Sequence, residues 1–285
     1  MIRNAMSIDV EDYYMVSAFA DRIKFEDWPK YESRIEKNVY KILEMLDEYR
    51  VKVTFFILGW VGEQHPKLVK DIHSAGHEIA SHGYNHTLVY NQTQEEFRKD
   101  IRKTKNILED ITGTSVVGYR ATSFSIIDKT LWALDILIDE GFLYDSSIFP
   151  VHHDLYGNPN FNRFPEIIKN GVGEILEIPL STIRLFRKNI PIAGGGYLRF
   201  FPLRFIEWGI RSLNRNEAQP AIIYFHPWEI DPEQPRLNGS KLAKLRHYTN
   251  ISKTFLKLNR LLKTFQFGPV KEVFAYKITM PISFQ

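Results

Sequence analysis

The stretch that organises this chain is Ile79-Ala80-Ser81-His82-Gly83-Tyr84-Asn85-His86, in which two histidines follow a short apolar run. If the turn between them is helical or tight, both imidazoles can converge on one ion. A second stretch, Asp9-Val10-Glu11-Asp12, places carboxylates at the end of another strand-like run. Imidazole and carboxylate groups together are a typical ligand set for a catalytic metal. The sequence therefore predicts a metal site, provided that the fold brings the two stretches together.

The overall composition is that of a globular protein, with 285 residues of which 44% are hydrophobic and 25% charged. The net charge of +3 gives little reason to expect nucleic acid or an anionic membrane as the main partner. The absence of cysteine excludes disulfides and thiolate ligands. Residues 1–10 lack the features of a signal peptide, and no apolar run approaches the roughly 18 residues of a membrane span. We therefore expect a cytoplasmic protein without a transmembrane segment.

Predicted strands alternate with predicted helices along the chain, which is the pattern of parallel βα units. Apolar and β-branched runs predict strands at residues 5–10, 51–58, 77–81, 115–119, 142–144, 174–178, 221–225 and 273–278. Capping boxes at Ser33–Glu36 and Thr93–Glu96 predict two helix starts, and residues 240–265 read as one long amphipathic helix. Six or seven such units favour a closed or nearly closed barrel. No G-x-G-x-x-G follows the first strand, which disfavours a dinucleotide-binding sheet.

Charged or titratable side chains follow five of the predicted strands. They are Asp9, Glu11 and Asp12 after the first strand, His82 and His86 after the third, and Arg120, Asp145 and His226 after three later strands. Each of them alone also fits a structural role, such as a turn cap, a surface ion pair or a core histidine. Because functional side chains of a parallel barrel lie at the C-terminal ends of its strands, their joint placement predicts an active site.

Taken in order, these stretches resemble the motifs of the nodulation-type polysaccharide deacetylases, carbohydrate esterase family 4. Residues 76–86 resemble the metal-binding histidine motif of that family, and residues 7–12 lie where it carries paired aspartates. Three further stretches resemble the third, fourth and fifth motifs of the family: Gly118-Tyr119-Arg120-Ala121, Asp145-Ser146-Ser147 and Ile223-Tyr224-Phe225-His226. The resemblance covers about residues 5–230. Further stretches, among them residues 193–197, 226–232 and 246–248, look like the subgroup encoded with bacterial exopolysaccharide and exosortase loci.

The resemblance implies a single domain over residues 1–285, with a core at about residues 5–230 and a C-terminal extension at about residues 231–285. The implied fold is a distorted (β/α) TIM-like barrel of seven or eight parallel strands followed by a C-terminal helical extension. The implied reaction is metal-dependent hydrolysis of the N-acetyl group of a sugar or polysaccharide. The substrate would be an N-acetylated carbohydrate of exopolysaccharide or cell-envelope metabolism, and the exopolysaccharide biosynthesis machinery is a candidate partner.

The same resemblance assigns a role to each site residue. His82 and His86 would be metal ligands, Asp9 the general base and His226 the general acid. Arg120 would hold and orient Asp9, and Asp145 would orient His226 and keep it protonated. The ion would be divalent; zinc is favoured, but cobalt, nickel, manganese and iron suit the same ligands.

Two departures from the family pattern leave questions open. The carboxylate ligand of the metal would be Glu11 or Asp12, where the family has an aspartate next to the base. Strand alternation favours Glu11, which shares a face with Asp9, and a bulge at the end of the strand would favour Asp12. The third motif continues as Thr122-Ser123-Phe124, where the family often carries proline and tryptophan, and this leaves the substrate wall undefined.

Two other functions remain open at this point. The same scaffold could hydrolyse a small linear or cyclic amide, or an inactive barrel could bind a glycan or act as a scaffold. Metal content separates the inactive protein from both enzymes, because only the enzymes require a stoichiometric ion.

Overall fold

The computed structural model describes residues 2–153 and 156–278, and these residues form a mostly parallel sheet surrounded by helices. The strands, in chain order, are β1 (Asn4–Val10), β2 (Thr54–Ile57), β3 (Glu78–Ser81), β4 (Gly118–Tyr119), β5 (Tyr144–Asp145), β6 (Glu166–Lys169), β7 (Glu174–Glu177), β8 (Thr182–Leu185), β9 (Lys188–Pro191), β10 (Ile222–Phe225) and β11 (Phe267–Gly268). Residues 154–155 and the end of the predicted extension, residues 279–285, lie outside the described chain.

The helices cover the outside of the sheet and continue beyond β10. They are α1 (Ile35–Glu48), α2 (Gly59–Gln64), α3 (Pro66–Ser74), α4 (Gln94–Thr112), α5 (Trp132–Asp139), α6 (Gly196–Phe200), α7 (Leu203–Asn216), α8 (Lys241–Tyr248), α9 (Ile251–Thr264) and α10 (Val270–Val273). None of the helices in the described chain combines the length and the apolar composition that crossing a bilayer requires.

The sheet has the order β10-β1-β2-β3-β4-β5-β7-β6, and β11 also pairs with β1. All of these pairings are parallel except that of β6 with β7. The first and last predicted core strands are thus neighbours, with Ala5 opposite Ile222. This arrangement confirms the expected distorted barrel of parallel strands. In the described residues its ring is not closed by strand pairing between β10 and β6.

Several local predictions are confirmed by the structure. Thr93 accepts a hydrogen bond from the backbone of Glu96 at 3.3 Å, so the capping box begins α4 as expected. The same helix ends at Gly113, whose φ of 67° is the left-handed conformation that glycine adopts without steric cost. The start of α3 at Pro66 is also as expected.

Three local predictions are wrong. The predicted capping box at Ser33 does not form: the N-cap of α1 is Arg34, and the hydroxyl of Ser33 donates to Asp12 at 2.8 Å while it accepts only from the N–H of Ile35, at 3.4 Å. The long helix predicted over residues 240–265 is two helices, α8 and α9, which are separated at Asn250 with a φ of 55°. Residues 273–278 are not a strand. The chain returns to the sheet earlier, as β11, where Gly268 lies opposite Ala5.

No sequence pattern predicted the β8–β9 hairpin, which lies outside the main sheet. After the hairpin, the chain runs parallel to β10 at Gly194, which forms a β-bridge with Tyr224. A Cβ atom on Gly194 would lie 1.8 Å from the carbonyl oxygen of Tyr224, and its φ is 143°, so only glycine fits. The helix α6 follows directly and lies at the face of the sheet where the strands end.

The start of β3 depends on a neutral histidine. His77 is buried, and its Nδ1 accepts a hydrogen bond from the backbone N–H of Val53 at 3.2 Å. Burial and the nearby Lys52 lower the pKa of His77 to about 4. Protonation of this residue therefore opposes folding.

We expect this residue to make stability fall with acidity. The pKa of His77 is lower in the folded than in the unfolded protein, so its contribution is present above pH 6.5 and is lost as the pH falls towards 4. The full loss is about 3.5 kcal/mol, because the pKa falls from 6.5 to about 4 and one pKa unit corresponds to about 1.4 kcal/mol. Denaturant unfolding at several pH values should show a flatter profile for His77→Asn than for the natural protein. Identical profiles would contradict the prediction.

Candidate metal centre and active site

The side chains predicted at the strand ends meet at one face of the sheet, around a cavity of about 710 Å³. Asp9, Glu11, His82, His86 and His226 line this cavity. Arg120 and Asp145 are fully buried behind it. The ends of the strands therefore bring together residues that are up to 217 positions apart in the sequence.

Glu11, His82 and His86 form a cluster that could hold a metal ion. One ligand atom from each lies within 4.8 Å of those of the other two. Nε2 of His86 is 3.1 Å from Oε2 of Glu11, an oxygen that is buried and has no hydrogen-bond partner in the described chain. Asp12 is outside the cluster. This arrangement agrees with the alternation argument that favoured Glu11.

Asp12 has a structural position instead. Its carboxylate accepts hydrogen bonds from the hydroxyl of Ser33 at 2.8 Å and from the backbone N–H groups of Arg34 at 2.8 Å and Tyr13 at 3.0 Å. Burial raises the pKa of Asp12, and these hydrogen bonds oppose the rise. The side chain ties the end of β1 to the start of α1.

The segment between the two histidines is a tight loop rather than a helix. Gly83 has a φ of 73°, and the carbonyls of Gly83 and Tyr84 accept hydrogen bonds from the first two N–H groups of α2 at 2.9 and 3.0 Å. Asp100 on α4 accepts from the N–H of Tyr84 at 3.1 Å with both oxygens. Two helices thus fix the loop that carries His82 and His86.

The donor set fits a divalent cation. Nδ1 of His82 lies 2.8 Å from the carbonyl oxygen of Arg120, so Nδ1 carries the proton and Nε2 keeps its lone pair. Burial lowers the pKa of His82 to about 4, although the charges of Asp9 and Glu11 oppose this effect. Burial raises the pKa of Glu11, but His86 and His226 lower it well below its usual value. A neutral imidazole and an ionised carboxylate are the forms that bind metals.

The expected pairing of Arg120 with Asp9 is present. Nη1 of Arg120 donates to Oδ1 of Asp9 and to the hydroxyl of Ser7, both at 2.7 Å. The guanidinium also donates to the carbonyl and the hydroxyl of Ser146, both at 3.1 Å, and lies over the ring of Phe56 at 4.1 Å. Asp9 is thereby held by one oxygen, while Oδ2 lies on the side of His226, 4.0 Å from Nε2.

His226 lies between two carboxylates. Its Nδ1 is 2.5 Å from Oε1 of Glu229, and its Nε2 is 2.9 Å from Oε1 of Glu11. Burial lowers the pKa of His226, but Glu11 and Glu229 outweigh it and raise the pKa to about 10. Glu229 is itself 3.3 Å from Nε of the buried Arg199. The imidazole is therefore held as a cation in a fixed orientation.

Asp145 does not occupy the position expected for it beside His226. Its Oδ1 accepts from the hydroxyl of Ser147 at 2.5 Å, and it interacts with Glu177 on β7. Burial raises the pKa of both carboxyls, and for Glu177 the charge of Asp145 adds to the rise. Glu177 is therefore the neutral acid of a pair that shares one negative charge behind Arg120.

Sequence reasoning missed four residues that support the site: Arg199, Glu229, Glu177 and Asp100. Only Glu229 left a local signal, since it follows His226 by three positions in a Pro227–Ile230 turn. Residues three apart in such a turn lie on the same side. The other three are brought to the site by long-range packing, for which the sequence holds no spacing signal.

Two family models match this chain. Polysaccharide deacetylase matches residues 22–137, and the domain of unknown function DUF3473 matches residues 146–275. Asp9 and Glu11 lie before the first match, His82, His86 and Arg120 within it, and His226 within the second. The candidate site is therefore assembled from both matched segments and from the strand that precedes them.

Individual relatives agree with these matches. A peptidoglycan-N-acetylglucosamine deacetylase of Bacillus cereus is 34% identical over 114 residues, which are 40% of this chain and 40% of that protein. The matches to curated relatives thus span well under two thirds of the relatives' own length.

Two solved structures share the fold. A Mycobacterium smegmatis protein assigned to the polysaccharide deacetylases superposes with a TM-score of 0.60 at 22% identity, over 96% of this chain and 91% of that one. The Puue allantoinase gives a TM-score of 0.60 at 14% identity, over 98% of this chain and 92% of that one. The two family matches lead to one assignment: residues 22–137 form a segment of the polysaccharide deacetylase family, and residues 146–275 form a DUF3473 segment that follows it.

Proposed function

We propose that this protein is a metal-dependent N-deacetylase that removes the acetyl group from an N-acetylated sugar of a polysaccharide. The observation that carries the proposal is the convergence of Glu11, His82 and His86 with Asp9 and His226 on one cavity. Metal ligands, a candidate base and a candidate acid are the three components that hydrolysis of an amide requires.

Glu11, His82 and His86 would hold a divalent ion, and zinc is favoured by two imidazoles and one carboxylate. When bound, the ion would acidify a water molecule and stabilise negative charge that develops on the acetyl oxygen. Asp12 is a poor candidate ligand because its oxygens already accept hydrogen bonds from Tyr13, Ser33 and Arg34.

The chain's own residues would carry the proton transfers. Arg120 holds Oδ1 of Asp9, which leaves Oδ2 to take a proton from the attacking water. The imidazolium of His226 would give its proton to the amine as the C–N bond breaks. Glu229, held by Arg199, would orient that imidazolium through Nδ1. This role was assigned to Asp145 from the motif resemblance, and the contacts favour Glu229.

The cavity suits a carbohydrate. Aromatic side chains of Phe124, Tyr156, Tyr197, Tyr224 and Trp228 line it, together with the polar groups of the centre. Sugars bind proteins through such combinations of apolar ring faces and fixed polar groups. Hydrolysis of a small amide is the alternative, and the likeness to an allantoinase concerns the fold alone.

We also infer that the described chain folds as one domain, because β1 pairs with β10 and β11 across the whole length of the sequence. A role in exopolysaccharide or cell-envelope metabolism, an association with the exopolysaccharide machinery and a cytoplasmic location stay predictions from the sequence.

Metal content should distinguish the two carboxylates after β1. We expect Glu11→Gln to lower the affinity for zinc by about 10-fold or more, because the variant loses a charged ligand. Asp12→Asn is the matched control and should retain the metal. Isothermal titration of metal-free protein with zinc measures both. Loss of binding in Asp12→Asn with retention in Glu11→Gln would reverse the assignment.

Acetate release from N-acetylglucosamine oligosaccharides tests the reaction. Asp9→Asn should lower kcat by about 10²- to 10⁴-fold, because it removes the group that takes the proton from water. Asp135→Asn, which changes an exposed carboxylate on α5, should leave kcat unchanged. Small linear and cyclic amides belong in the same assay. Turnover of those amides without acetate release from the sugars would favour the alternative, and no turnover with a bound metal would contradict both.

The orienting role can be assigned by comparing Glu229→Gln with Asp145→Asn. We expect Glu229→Gln to lower kcat by about 10- to 100-fold with KM and metal content retained, because His226 loses its charged partner. Asp145 contacts Ser147 and Glu177 rather than His226, so Asp145→Asn should lower kcat less. A larger loss of kcat in Asp145→Asn at equal thermal stability would favour the original assignment.

A further inference from the structure

The small net charge of this chain conceals two strongly charged parts. Residues 1–183 contain 20 lysines and arginines against 28 aspartates and glutamates, whereas residues 184–270 contain 15 against 5. The second part therefore has an excess of ten positive charges. Such asymmetry within one chain is typical of proteins that bind an anionic surface. The sequence-based expectation of no anionic partner used only the net charge of the whole chain, in which the charges of the two parts nearly cancel.

The five acidic side chains of residues 184–270 are all paired with basic groups. Each of the five lies within 4.0 Å of a basic group, and Glu229 is fully buried. The pairs are Glu207 with Arg211 and Arg260, Glu217 with Arg163, Glu229 with Arg199, Asp231 with Arg34, and Glu233 with Lys37. Three of these six basic partners, Arg34, Lys37 and Arg163, belong to the first 183 residues, so the acids they bind do not pair with cations of the basic part.

Exposed apolar side chains concentrate in the same part of the chain. Phe186 is 98% exposed, Leu256 71%, Leu245 56% and Leu242 53%. Phe200 and Trp208 are also exposed, so residues 184–270 hold six of the ten large hydrophobic side chains that are exposed in the described residues. Single exposed apolar residues are ordinary, but several among basic residues mark an interaction surface.

Helix α8 brings both features to the cavity. Its exposed side chains are Lys241, Leu242, Lys244 and Leu245, while Ala243 and His247 face the protein. Leu242 also lines the cavity. The outer face of α8 is thus a short basic and apolar strip on the rim of the candidate active site.

A second basic and apolar segment lies at the tip of the β8–β9 hairpin. Thr182 and Glu217, which follows α7, both bind Arg163, and Ile183 lies beside Gly209 in the middle of α7. The base of the hairpin therefore packs against α7, which follows the cavity-lining helix α6 in the chain. Phe186 lies at the tip of this hairpin.

The tip repeats the composition of α8. Phe186 stands between the exposed side chains of Arg184, Arg187 and Lys188. The φ angles of Phe186 and Arg187 are 48° and 63°, a two-residue turn that directs the phenyl ring away from the body of the protein.

We propose that two basic and apolar segments, residues 184–188 and 241–246, together named the basic rim, bind the surface of an anionic phospholipid bilayer. Lysines and arginines would meet the lipid phosphates, while Phe186, Leu242 and Leu245 enter the boundary between headgroups and acyl chains. A soluble polyanion such as nucleic acid would use the charges but would leave these three side chains in water. The exposed apolar groups therefore favour a bilayer.

Binding in this way directs the cavity towards the membrane surface, since Leu242 belongs both to the rim and to the cavity wall. The candidate active site would then face glycans that are bound at the membrane surface. This consequence rests on the proposed deacetylation, whereas the binding itself does not.

Sedimentation with vesicles tests the proposal without any turnover. We expect the full chain to sediment with phosphatidylcholine vesicles that contain phosphatidylglycerol, to remain in solution with pure phosphatidylcholine, and to be released by salt. Lys241→Gln with Lys244→Gln should weaken binding about 5-fold for each lysine. Phe186→Ser and Leu245→Ser should each weaken it about 10-fold or more, because each removes an inserted apolar side chain.

Matched controls change the same chemistry elsewhere on the surface. Lys70→Gln with Lys99→Gln removes two exposed lysines of the acidic part, and Val172→Ser removes an apolar side chain that is 81% exposed. Both should bind like the natural protein, and thermal melting checks that every variant folds. The proposal is overturned if phosphatidylglycerol does not increase sedimentation at low salt. It is also overturned if a soluble polyanion competes fully while Phe186→Ser and Leu245→Ser bind normally, since the partner is then a polyanion.

Discussion

The buried guanidinium of Arg120 is the group on which the catalytic face depends. Its side chain binds Asp9 and Ser7 on β1 and Ser146 beyond β5, and its own carbonyl oxygen fixes the tautomer of His82. A fully buried cation is costly unless charged and polar groups surround it. The structure meets this requirement with two residues of β1 and with Ser146, which directly follows β5. The same contacts set the distance between the candidate base and the two histidines that could hold a metal ion.

Charge balance explains the remaining polar groups behind the cavity. Asp145 and Glu177 share one negative charge near Arg120, because two ionised carboxylates this close would repel each other in a buried setting. On the open side, the imidazolium of His226 neutralises Glu11, and Arg199 neutralises Glu229. A divalent ion held by Glu11 would compete with His226 for that carboxylate, which connects metal affinity to the protonation of the candidate acid.

The two matched segments have different parts in this site. The deacetylase segment supplies the histidine pair and Arg120, and the DUF3473 segment supplies His226, Glu229, Arg199 and much of the cavity wall. The second segment also carries the positive excess and the exposed apolar residues. It therefore completes the chemistry and determines which surface lies around the entrance. Neither matched segment holds all the predicted catalytic residues, because Asp9 and Glu11 precede both.

The amino-acid sequence predicted the parallel alternation of strands and helices and the candidate set Asp9, His82, His86, Arg120 and His226, because residues that end parallel strands meet at one edge whatever their separation. It also favoured Glu11 over Asp12 through strand alternation. Only the tertiary structure assigned Asp12 to Ser33 and Glu229 to His226, separated α8 from α9 at Asn250, and placed the hairpin beside α7. Periodicity reports which side of its own element a residue faces. Which partner it meets there is decided by the packing of loops and helices from distant parts of the chain, and short-range pattern does not encode that packing.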